Sequence, residues 1–295
     1  MVGTFAGFFG RFAWWLDLAS HFRAQYFILL TVISACYFLG RRWRLAGGAV
    51  LVAIINLALI APLYLPRKDT SEVSGKSCRA MLINVNMQLG NVEAVLNAIR
   101  EYSPDIIVLV EINDKWIKDL GPVIDNFQHR IVRTRNDNFG IALFSRHAWK
   151  KSEIVFVGEI GVPSVYAIII LENVTITVIG THPLPPGGAK YSAYRNDQLE
   201  RLSTFIRQFD TPILLLGDLN VSPWSYYFRK LLKDANLKDA SQGYGIQPTW
   251  PAMAWPFLIP IDHCLHSEDL RILRKKIGKN LGSDHYPVIV DFALK

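Results

Sequence analysis

The chain has 295 residues, and its composition and charge already exclude several classes of protein. Hydrophobic residues make up 51% of it, which is high for a soluble enzyme, and the apolar excess lies in residues 1–66. That stretch holds five Lys/Arg and one acidic residue, whereas the remainder holds 27 basic and 24 acidic residues. The larger part therefore lacks the strong basic excess typical of a nucleic-acid-binding protein, and three cysteines exclude a disulfide framework.

Two long apolar runs in residues 1–66 predict a helical hairpin in a membrane. The predicted spans cover about residues 24–40 and 45–65, each close to the roughly 20 apolar residues that cross a bilayer. A short loop containing Arg41, Arg42 and Arg44 separates them, which does not fit a single cleaved signal peptide. The aromatic residues before the hairpin, between Phe5 and Trp15, predict an interfacial helix or a further short span.

The loop between the spans also predicts an orientation. Short loops rich in Lys and Arg face the cytoplasm, which would place both ends of the hairpin and everything after residue 66 outside it. Residues 67–78 are polar and predict a linker to the rest of the chain. The opposite orientation stays open, because four basic residues lie shortly after the hairpin: Arg67, Lys68, Lys76 and Arg79.

Residues 79–295 alternate between strand and helix patterns and predict one α/β domain. An amphipathic helix begins after Asn91, a capping residue, with Val92, Val95, Leu96 and Ile99 on one face. The predicted strands are short apolar or β-branched runs at residues 80–85, 106–110, 139–145, 165–171, 174–180, 213–216, 259–265 and 288–292. Some of these runs flank helices and others pair as hairpins, so the predicted sheets are mixed.

Polar residues that could carry chemistry lie at the ends of these predicted strands. Each is by itself an ordinary turn or edge residue, but the ends of strands are also where α/β enzymes hold their chemistry. The motifs are Asn84-Val85-Asn86, Val110-Glu111, Thr181-His182-Pro183, Gly217-Asp218-Leu219-Asn220, Ile261-Asp262-His263 and Ser283-Asp284-His285.

In this order the motifs resemble those of the endonuclease/exonuclease/phosphatase superfamily, which includes DNase I-like nucleases and neutral sphingomyelinases. The resemblance covers residues 79–295. It implies a four-layer α/β sandwich, with two mixed β-sheets packed face to face and helices outside, which here follows the N-terminal transmembrane hairpin. It also implies a phosphoesterase that depends on Mg²⁺ or Mn²⁺.

The resemblance further implies which residues hold the metal. Glu111 matches the main carboxylate ligand of the family, and Asn84, Asn86 and Asp284 match the positions around it. These side chains offer oxygen, the ligand that Mg²⁺ prefers. Asn86 departs from the pattern, since related nucleases often have Asp there, and this weakens the case for a direct metal role.

Five further residues match catalytic positions of the family, and three are expected to contact the substrate. Asp218 would activate water, and Asn220 would fix the phosphate or the nucleophile. His285 would act as the acid or base, oriented by Asp262, whereas His182 would contact phosphate or protonate the leaving group. The predicted substrate contacts are Arg195 and Gln198, which match a recurrent polar pair, and Trp250, in an aromatic loop that could instead face the membrane.

The sequence therefore predicts a multi-pass membrane protein with an extracytoplasmic, metal-dependent phosphoesterase domain. Nucleic acid, phospholipid and small phosphodiesters all remain open as substrates. The hairpin and the weak charge of the larger part favour a lipid or small phosphoester over the substrate of a free nuclease. The alternative is a non-catalytic, membrane-tethered binding domain, whose signature would be a lost metal ligand or histidine. No protein partner is predicted.

Overall fold

The structure is a computed structural model that describes residues 1–65 and 74–295. Within these residues the helices of the α type are α1 (Val2–Ala6), α2 (Trp14–Ser20), α3 (Arg23–Leu39), α4 (Trp43–Ile60), α5 (Val92–Tyr102), α6 (Asp114–Ile124), α7 (Ala189–Ile206) and α8 (Tyr226–Asp234). The strands are β1 (Ser74–Asn84), β2 (Ile106–Val110), β3 (His129–Arg133), β4 (Ile141–Ser145), β5 (Trp149–Val155), β6 (Ser164–Leu171), β7 (Val174–Thr181), β8 (Ile213–Asp218), β9 (Lys238–Asp239), β10 (Asp262–His266), β11 (Leu270–Ile277) and β12 (Val288–Leu294).

These strands form two six-stranded mixed sheets. The first has the order β11-β12-β1-β2-β4-β3, and the second has the order β5-β6-β7-β8-β10-β9. One parallel pair lies at the centre of each sheet, β1 with β2 and β7 with β8, and their neighbours run antiparallel. The carboxyl ends of the four parallel strands therefore lie beside the amino ends of β10 and β12.

The sheets pack face to face, with helices on both outer surfaces. Strand β2 shows why, because Ile106, Val108 and Val110 belong to the core between the sheets. The alternate residues Ile107 and Leu109 belong to a second core beneath α5 and α6. Side chains alternate across a strand, so a strand buried on both faces is apolar throughout. A third core packs α7 and α8 on the other sheet, which completes the predicted four-layer α/β sandwich.

The N-terminal residues form a helical hairpin close to the predicted one. Helix α3 matches the first predicted span, and α4 with the 3₁₀ turn Ala61–Leu63 matches the second. In the described parts of the chain, Trp43–Leu63 is the single continuous helical stretch long and apolar enough to cross a bilayer. Helix α3 reaches that threshold only together with α2, from which it is bent by 64°. The structure therefore gives one clear candidate span, where the sequence predicts two.

Polar residues inside the hairpin contact one another. The guanidinium of Arg23 donates to the backbone oxygen of Thr4 at 2.6 Å, and Asn56 donates to the Thr4 hydroxyl at 2.9 Å. Helix α1 thus folds back onto α3 and α4 and supplies a hydrogen-bond partner for Asn56, the strongly polar residue of the second predicted span.

The hairpin also packs directly against the sandwich. Ile60 and Leu63 form a small core with Trp224. The Trp224 indole donates to the backbone oxygen of Leu59 at 3.1 Å, and the Gln25 amide donates to that of Leu258 at 2.8 Å. Most of the predicted linker at residues 67–78 lies outside the described residues, which omit 66–73. Its last residues belong to β1, which begins at Ser74 rather than at residue 80.

Candidate active site

The motif residues meet at one edge of the sandwich because their strands end there. Asn84 and Asp218 are the last residues of β1 and β8, and Glu111 and His182 directly follow β2 and β7. Asp262 begins β10, where it pairs in register with Asp218 of the antiparallel neighbour. Gly217 allows β7 and β8 to approach closely, since a Cβ there would lie 2.3 Å from the backbone oxygen of Thr181.

Three of these residues have a backbone conformation that side chains usually avoid. The φ angles are +42° at Asn86, +60° at Glu111 and +52° at Asn220. Asn tolerates the left-handed region, but a Glu there is uncommon and costs on the order of 1 kcal/mol or more. Such strain persists where the surroundings fix it, and it clusters at functional sites.

The amide of Asn84 joins the two sheets at the centre of the site. Its Nδ2 donates to Glu111 Oε1 at 2.8 Å and to Asp218 Oδ2 at 3.1 Å. Its Oδ1 accepts from the backbone N–H of Asn86 at 3.0 Å. In this orientation Asn84 donates to the carboxylates through Nδ2. To bind a metal through Oδ1, its amide group would have to rotate by about half a turn.

Asp284 lies beside this cluster and is held by two donors. Asn86 Nδ2 donates to one carboxylate oxygen at 2.7 Å, and the Trp250 indole donates to the other at 2.9 Å. Asn86 therefore contacts the predicted ligand Asp284 through nitrogen. The polar partner of Trp250 is therefore Asp284, and the predicted substrate contact of Trp250 stays a prediction.

His285 and Asp262 form the predicted pair. The Nδ1–H of His285 donates to Asp262 Oδ2 at 2.8 Å, and both side chains are buried. His285 Nε2 lies 3.6 Å from Asp218 Oδ2 and 4.0 Å from Asp284 Oδ1. Burial by itself would lower the pKa of His285, but the negative charges of Asp262 and Asp218 outweigh it and raise that pKa to about 10.

His182 approaches the same carboxylates from β7. Its Nε2 lies 3.5 Å from Asp218 Oδ2 and 3.9 Å from Glu111 Oε1. Burial, followed by the nearby charge of His285, lowers the pKa of His182 to about 4. The surroundings therefore shift the pKa values of the two histidines in opposite directions, although both face Asp218.

The donor set fits a hard divalent cation. Burial raises the pKa of Glu111, and burial together with Asp262 raises that of Asp218 well above its ordinary value. Carboxylates that are buried close together without a full set of cationic partners are stabilised by a bound cation. Glu111, His182 and Asp218 place ligand atoms within 4.8 Å of one another, as do Asp218, Asp262 and His285. Each group combines two carboxylates with one imidazole and no cysteine, a donor set that can hold a divalent cation.

Arg195 is buried against the N-terminal segment, and its predicted substrate contact stays a prediction. Its side chain is 1% exposed, and its guanidinium pairs with Asp17 of α2 at 2.8 Å. It also donates to the backbone oxygen of Asn220 at 3.1 Å. Gln198 is equally buried and donates only weakly, to Thr181 at 3.4 Å. Both side chains are therefore held by partners inside the protein, Arg195 by α2 and the catalytic turn and Gln198 by the end of β7.

Sequence reasoning missed the N-terminal residues that reach the site. Asp17 pairs with Arg195, and His21 Nδ1 accepts from the backbone N–H of Ser222 at 3.1 Å. A signal was present, because Asp17 is the single acid in the apolar residues 1–66, and a charge in such a segment requires a partner. Its partner could not be identified from spacing, since Arg195 is far away in the sequence.

Two mixed sheets with two histidines, carboxylates and amides gathered at one edge are the arrangement that the resemblance to the endonuclease/exonuclease/phosphatase superfamily predicts. The model of the endonuclease/exonuclease/phosphatase family matches residues 81–285. The chain belongs to this family, and the predicted resemblance is confirmed.

Individual relatives are distant. UPF0294 protein VP2298 of Vibrio parahaemolyticus (serotype O3:K6, strain RIMD 2210633) is 28% identical over 128 residues, and the match spans 41% of each protein. An endonuclease/exonuclease/phosphatase of Beutenbergia cavernae DSM 12333 superposes with a TM-score of 0.60 at 17% identity, over 75% of this chain and 72% of that one. TDP2 of D. rerio, solved with a single-strand DNA product, gives 0.63 at 14% identity, over 74% and 99%. These structural similarities establish the shared fold.

Proposed function

We propose that the protein is a membrane-anchored, Mg²⁺-dependent phosphodiesterase. The observation that carries this proposal is the contact between the two sheets at their common edge. There, Asn84 donates to Glu111 and Asp218, and the Nε2 atoms of His182 and His285 lie within 4 Å of Asp218 Oδ2. The family membership supports a hydrolase of phosphoesters, and the motif positions of the resembled site are matched except at Asn86, where related nucleases often have Asp.

Glu111, whose ligand atom lies close to those of His182 and Asp218, would hold the cation. Asp284 and the amide oxygens of Asn84 and Asn86 would join it after their side chains turn. When bound, Mg²⁺ would supply positive charge that offsets the negative charge on the phosphoryl group and on the departing oxygen. The Glu111 carboxylate accepts a hydrogen bond from Asn84 at 2.8 Å, and its left-handed backbone is fixed by the surrounding structure, so this ligand is positioned before the cation arrives.

The remaining residues act on water and on the phosphoester. Asp218 lies near both histidines, is buried, and has no Lys or Arg ion-pair partner among the described residues; it would accept a proton from the attacking water. Asp262 holds the imidazole of His285 through Nδ1, which directs Nε2 towards the reacting phosphate. His182 approaches from the other side and contacts a phosphoryl oxygen. Asn220 donates to the backbone oxygen of Pro183 at 3.0 Å, and this contact holds together the two loops that face the substrate.

The exposed surface of the hairpin supports membrane anchoring. Large apolar side chains project outward from both helices, among them Ile28, Leu29 and Val32 of α3 and Leu51 and Ile54 of α4. Helices of 17 and 18 residues extend about 26 and 27 Å, which is close to the thickness of the hydrocarbon layer. With Arg41, Arg42 and Arg44 in the cytoplasm, the catalytic domain lies on the opposite side of the membrane.

The orientation is tested by a reporter fused after Lys295. We expect alkaline phosphatase, which is active only after export, to be active in this fusion, and a cytoplasmic reporter at the same position to be inactive. Protease added to intact cells or spheroplasts should remove the C-terminal domain. Protection of that domain until the cells are lysed would reverse the orientation.

Hydrolysis by the purified full-length protein tests the function. The substrates are bis(4-nitrophenyl) phosphate, 4-nitrophenyl phosphate, DNA, RNA, sphingomyelin and phosphoinositides. We expect turnover of the diester in Mg²⁺ or Mn²⁺, its loss in EDTA, and its return when the cation is restored. Hydrolysis that persists in EDTA would contradict the metal requirement. A protein that binds Mn²⁺ but hydrolyses none of these substrates would instead be a binding domain.

A further inference from the structure

An apolar cavity of about 370 Å³ lies beside the candidate active site. One wall comes from the N-terminal segment, with Leu18 and Phe22, and the opposite wall comes from the sandwich, with Pro186 and Ile261. None of its ten lining residues is acidic, lysine or arginine. Its volume lies within the range of ligand pockets, about 300–1,000 Å³. The cavity therefore exists only where the membrane-associated segment and the catalytic domain meet.

Two lining residues belong to the candidate active site itself. Asn220 follows Asp218 in the catalytic turn, and its backbone N–H donates to that carboxylate at 3.0 Å. Trp250 lines the cavity while its indole donates to Asp284, and its ring lies 6.5 Å from that of His285. A phosphoester held between these groups would therefore have one substituent next to an apolar space.

We propose that this cavity holds the apolar part of an amphiphilic phosphoester, so that the substrate class is a lipid-like molecule and the N-terminal segment forms part of the substrate site. This inference rests on the proposed function, because it takes the phosphate position from it.

The lining favours a hydrocarbon chain over a nucleotide. A polynucleotide needs cations along its backbone, and the cavity supplies no Lys or Arg. The single imidazole in the lining, that of His21, already accepts a hydrogen bond from Ser222, and burial lowers its pKa to about 4, which keeps it neutral. Near Trp250 in the sequence, Trp255 and Phe257 are 80% and 61% exposed. In the N-terminal segment that supplies the other wall, Phe12 and Trp15 are also exposed, so both segments that line the cavity carry exposed apolar side chains nearby in the sequence.

The test measures binding separately from hydrolysis. The full-length protein is placed in phosphatidylcholine nanodiscs with Mg²⁺, and the affinities of ethyl, butyl and hexyl phosphate are measured by calorimetry. These short chains stay monomeric in water. We expect affinity to rise by up to about fourfold per added methylene, which is the equivalent of about 0.8 kcal/mol for burying each one. Turnover of 4-nitrophenyl alkyl phosphates is then measured over the same chain lengths.

Leu18→Trp fills the cavity from its N-terminal wall, and we expect it to reduce the hexyl-to-ethyl affinity ratio to near 1. Leu16→Trp is the matched control, because Leu16 lies on the same helix but not in the lining, and it should keep the wild-type ratio. Gly187→Phe is a second filling variant from the opposite wall. Its new Cβ meets only an ordinary contact, 3.5 Å from Tyr191, so folding should be retained.

A wild-type affinity that does not depend on chain length would overturn the inference, as would filling variants that keep the wild-type ratio. If thymidine 5′-phosphate binds more tightly than hexyl phosphate and Leu18→Trp removes that preference, the cavity holds a base and the inference is wrong. Chain-dependent binding without any hydrolysis would leave the cavity assigned and would refute the proposed reaction instead.

Discussion

Replacement of Glu111 by Gln is expected to lower phosphodiester hydrolysis by at least about 100-fold, which corresponds to about 2.7 kcal/mol of lost transition-state stabilisation. Glu111 is the predicted main charged ligand, and Gln keeps its shape while removing the negative charge. The chain should fold normally. Burial raises the pKa of this carboxyl, so its ionised form is not stabilised by the fold in the absence of a cation.

A measurement of metal binding shows whether Glu111→Gln loses activity because it no longer binds the cation or for another reason. In the wild-type protein, Mg²⁺ or Mn²⁺ should raise the thermal unfolding temperature, because a ligand that binds only the folded state stabilises it. Glu111→Gln should lose this shift, whereas His285→Ala should lose activity and keep the shift. Wild-type turnover of Glu111→Gln in Mg²⁺ would contradict the assignment. If Mg²⁺ or Mn²⁺ still raises the unfolding temperature of Glu111→Gln as much as that of the wild type, the cation is bound by other residues.

The sequence predicts the interior of both sheets but none of their edges. All eight predicted strands correspond to internal strands: β1, β2, β4, β6, β7, β8, β10 and β12. The four strands that it misses, β3, β5, β9 and β11, are the four edge strands. Internal strands are buried on both faces and form continuous apolar runs. Edge strands carry charges that discourage pairing with other chains, and this hides the strand pattern.

Lys275 illustrates this difference. The sequence places Lys275 and Lys276 on a solvated face, because a run of charges usually is one. In the structure Lys275 belongs to edge strand β11 and is 4% exposed, with its ammonium donating to Gln247 at 3.0 Å. Burial correspondingly lowers the pKa of Lys275. Lys275 points inward between the more exposed Arg274 and Lys276, in a strand whose register shifts between Ile272 and Arg274, so its burial cannot be recognised before the strand itself.

The candidate site could be predicted for the residues that strand ends bring together. Asn84, Glu111 and Asp218 follow apolar runs directly, so their place at one sheet edge follows from the strand order. Arg195 could not be placed in this way, because its environment depends on packing between α7 and the distant α2. Residues whose partners are remote in the sequence remain ambiguous until the tertiary structure is known.

That remote partnership leads to the second large effect, which concerns Asp17. Its Oδ2 pairs with Arg195 at 2.8 Å, and each side chain is 1% exposed. Its Oδ1 accepts from the Ser225 hydroxyl at 2.8 Å and from the backbone N–H of Tyr226 at 3.3 Å, at the start of α8. Arg195 in turn donates to the backbone oxygen of Asn220. One buried ion pair therefore connects the N-terminal segment, α7, α8 and the catalytic turn.

We expect Asp17→Asn to lower the free energy of unfolding by about 3–5 kcal/mol, the usual effect of leaving one member of a buried ion pair without its partner. Arg195 would keep its charge in an environment from which water is excluded. The measurement is denaturant or thermal unfolding of the full-length protein. Asp125→Asn is the matched control, because Asp125 pairs with Arg130 on the surface with side chains 70% and 55% exposed, and its loss should change stability by less than about 1 kcal/mol.

The double variant Asp17→Asn/Arg195→Gln distinguishes a lost charge pair from lost packing. Removing the second charge eliminates the unpaired guanidinium, so the double variant should be more stable than Asp17→Asn alone. It should still hydrolyse substrate poorly, because Asn220 loses the donor that holds its backbone oxygen. If Asp17→Asn unfolds like Asp125→Asn, the pair does not hold the N-terminal segment against the catalytic domain. If the double variant loses more unfolding free energy than the two single variants lose in total, the hydrogen bonds of Asp17 and Arg195 matter more than their charges.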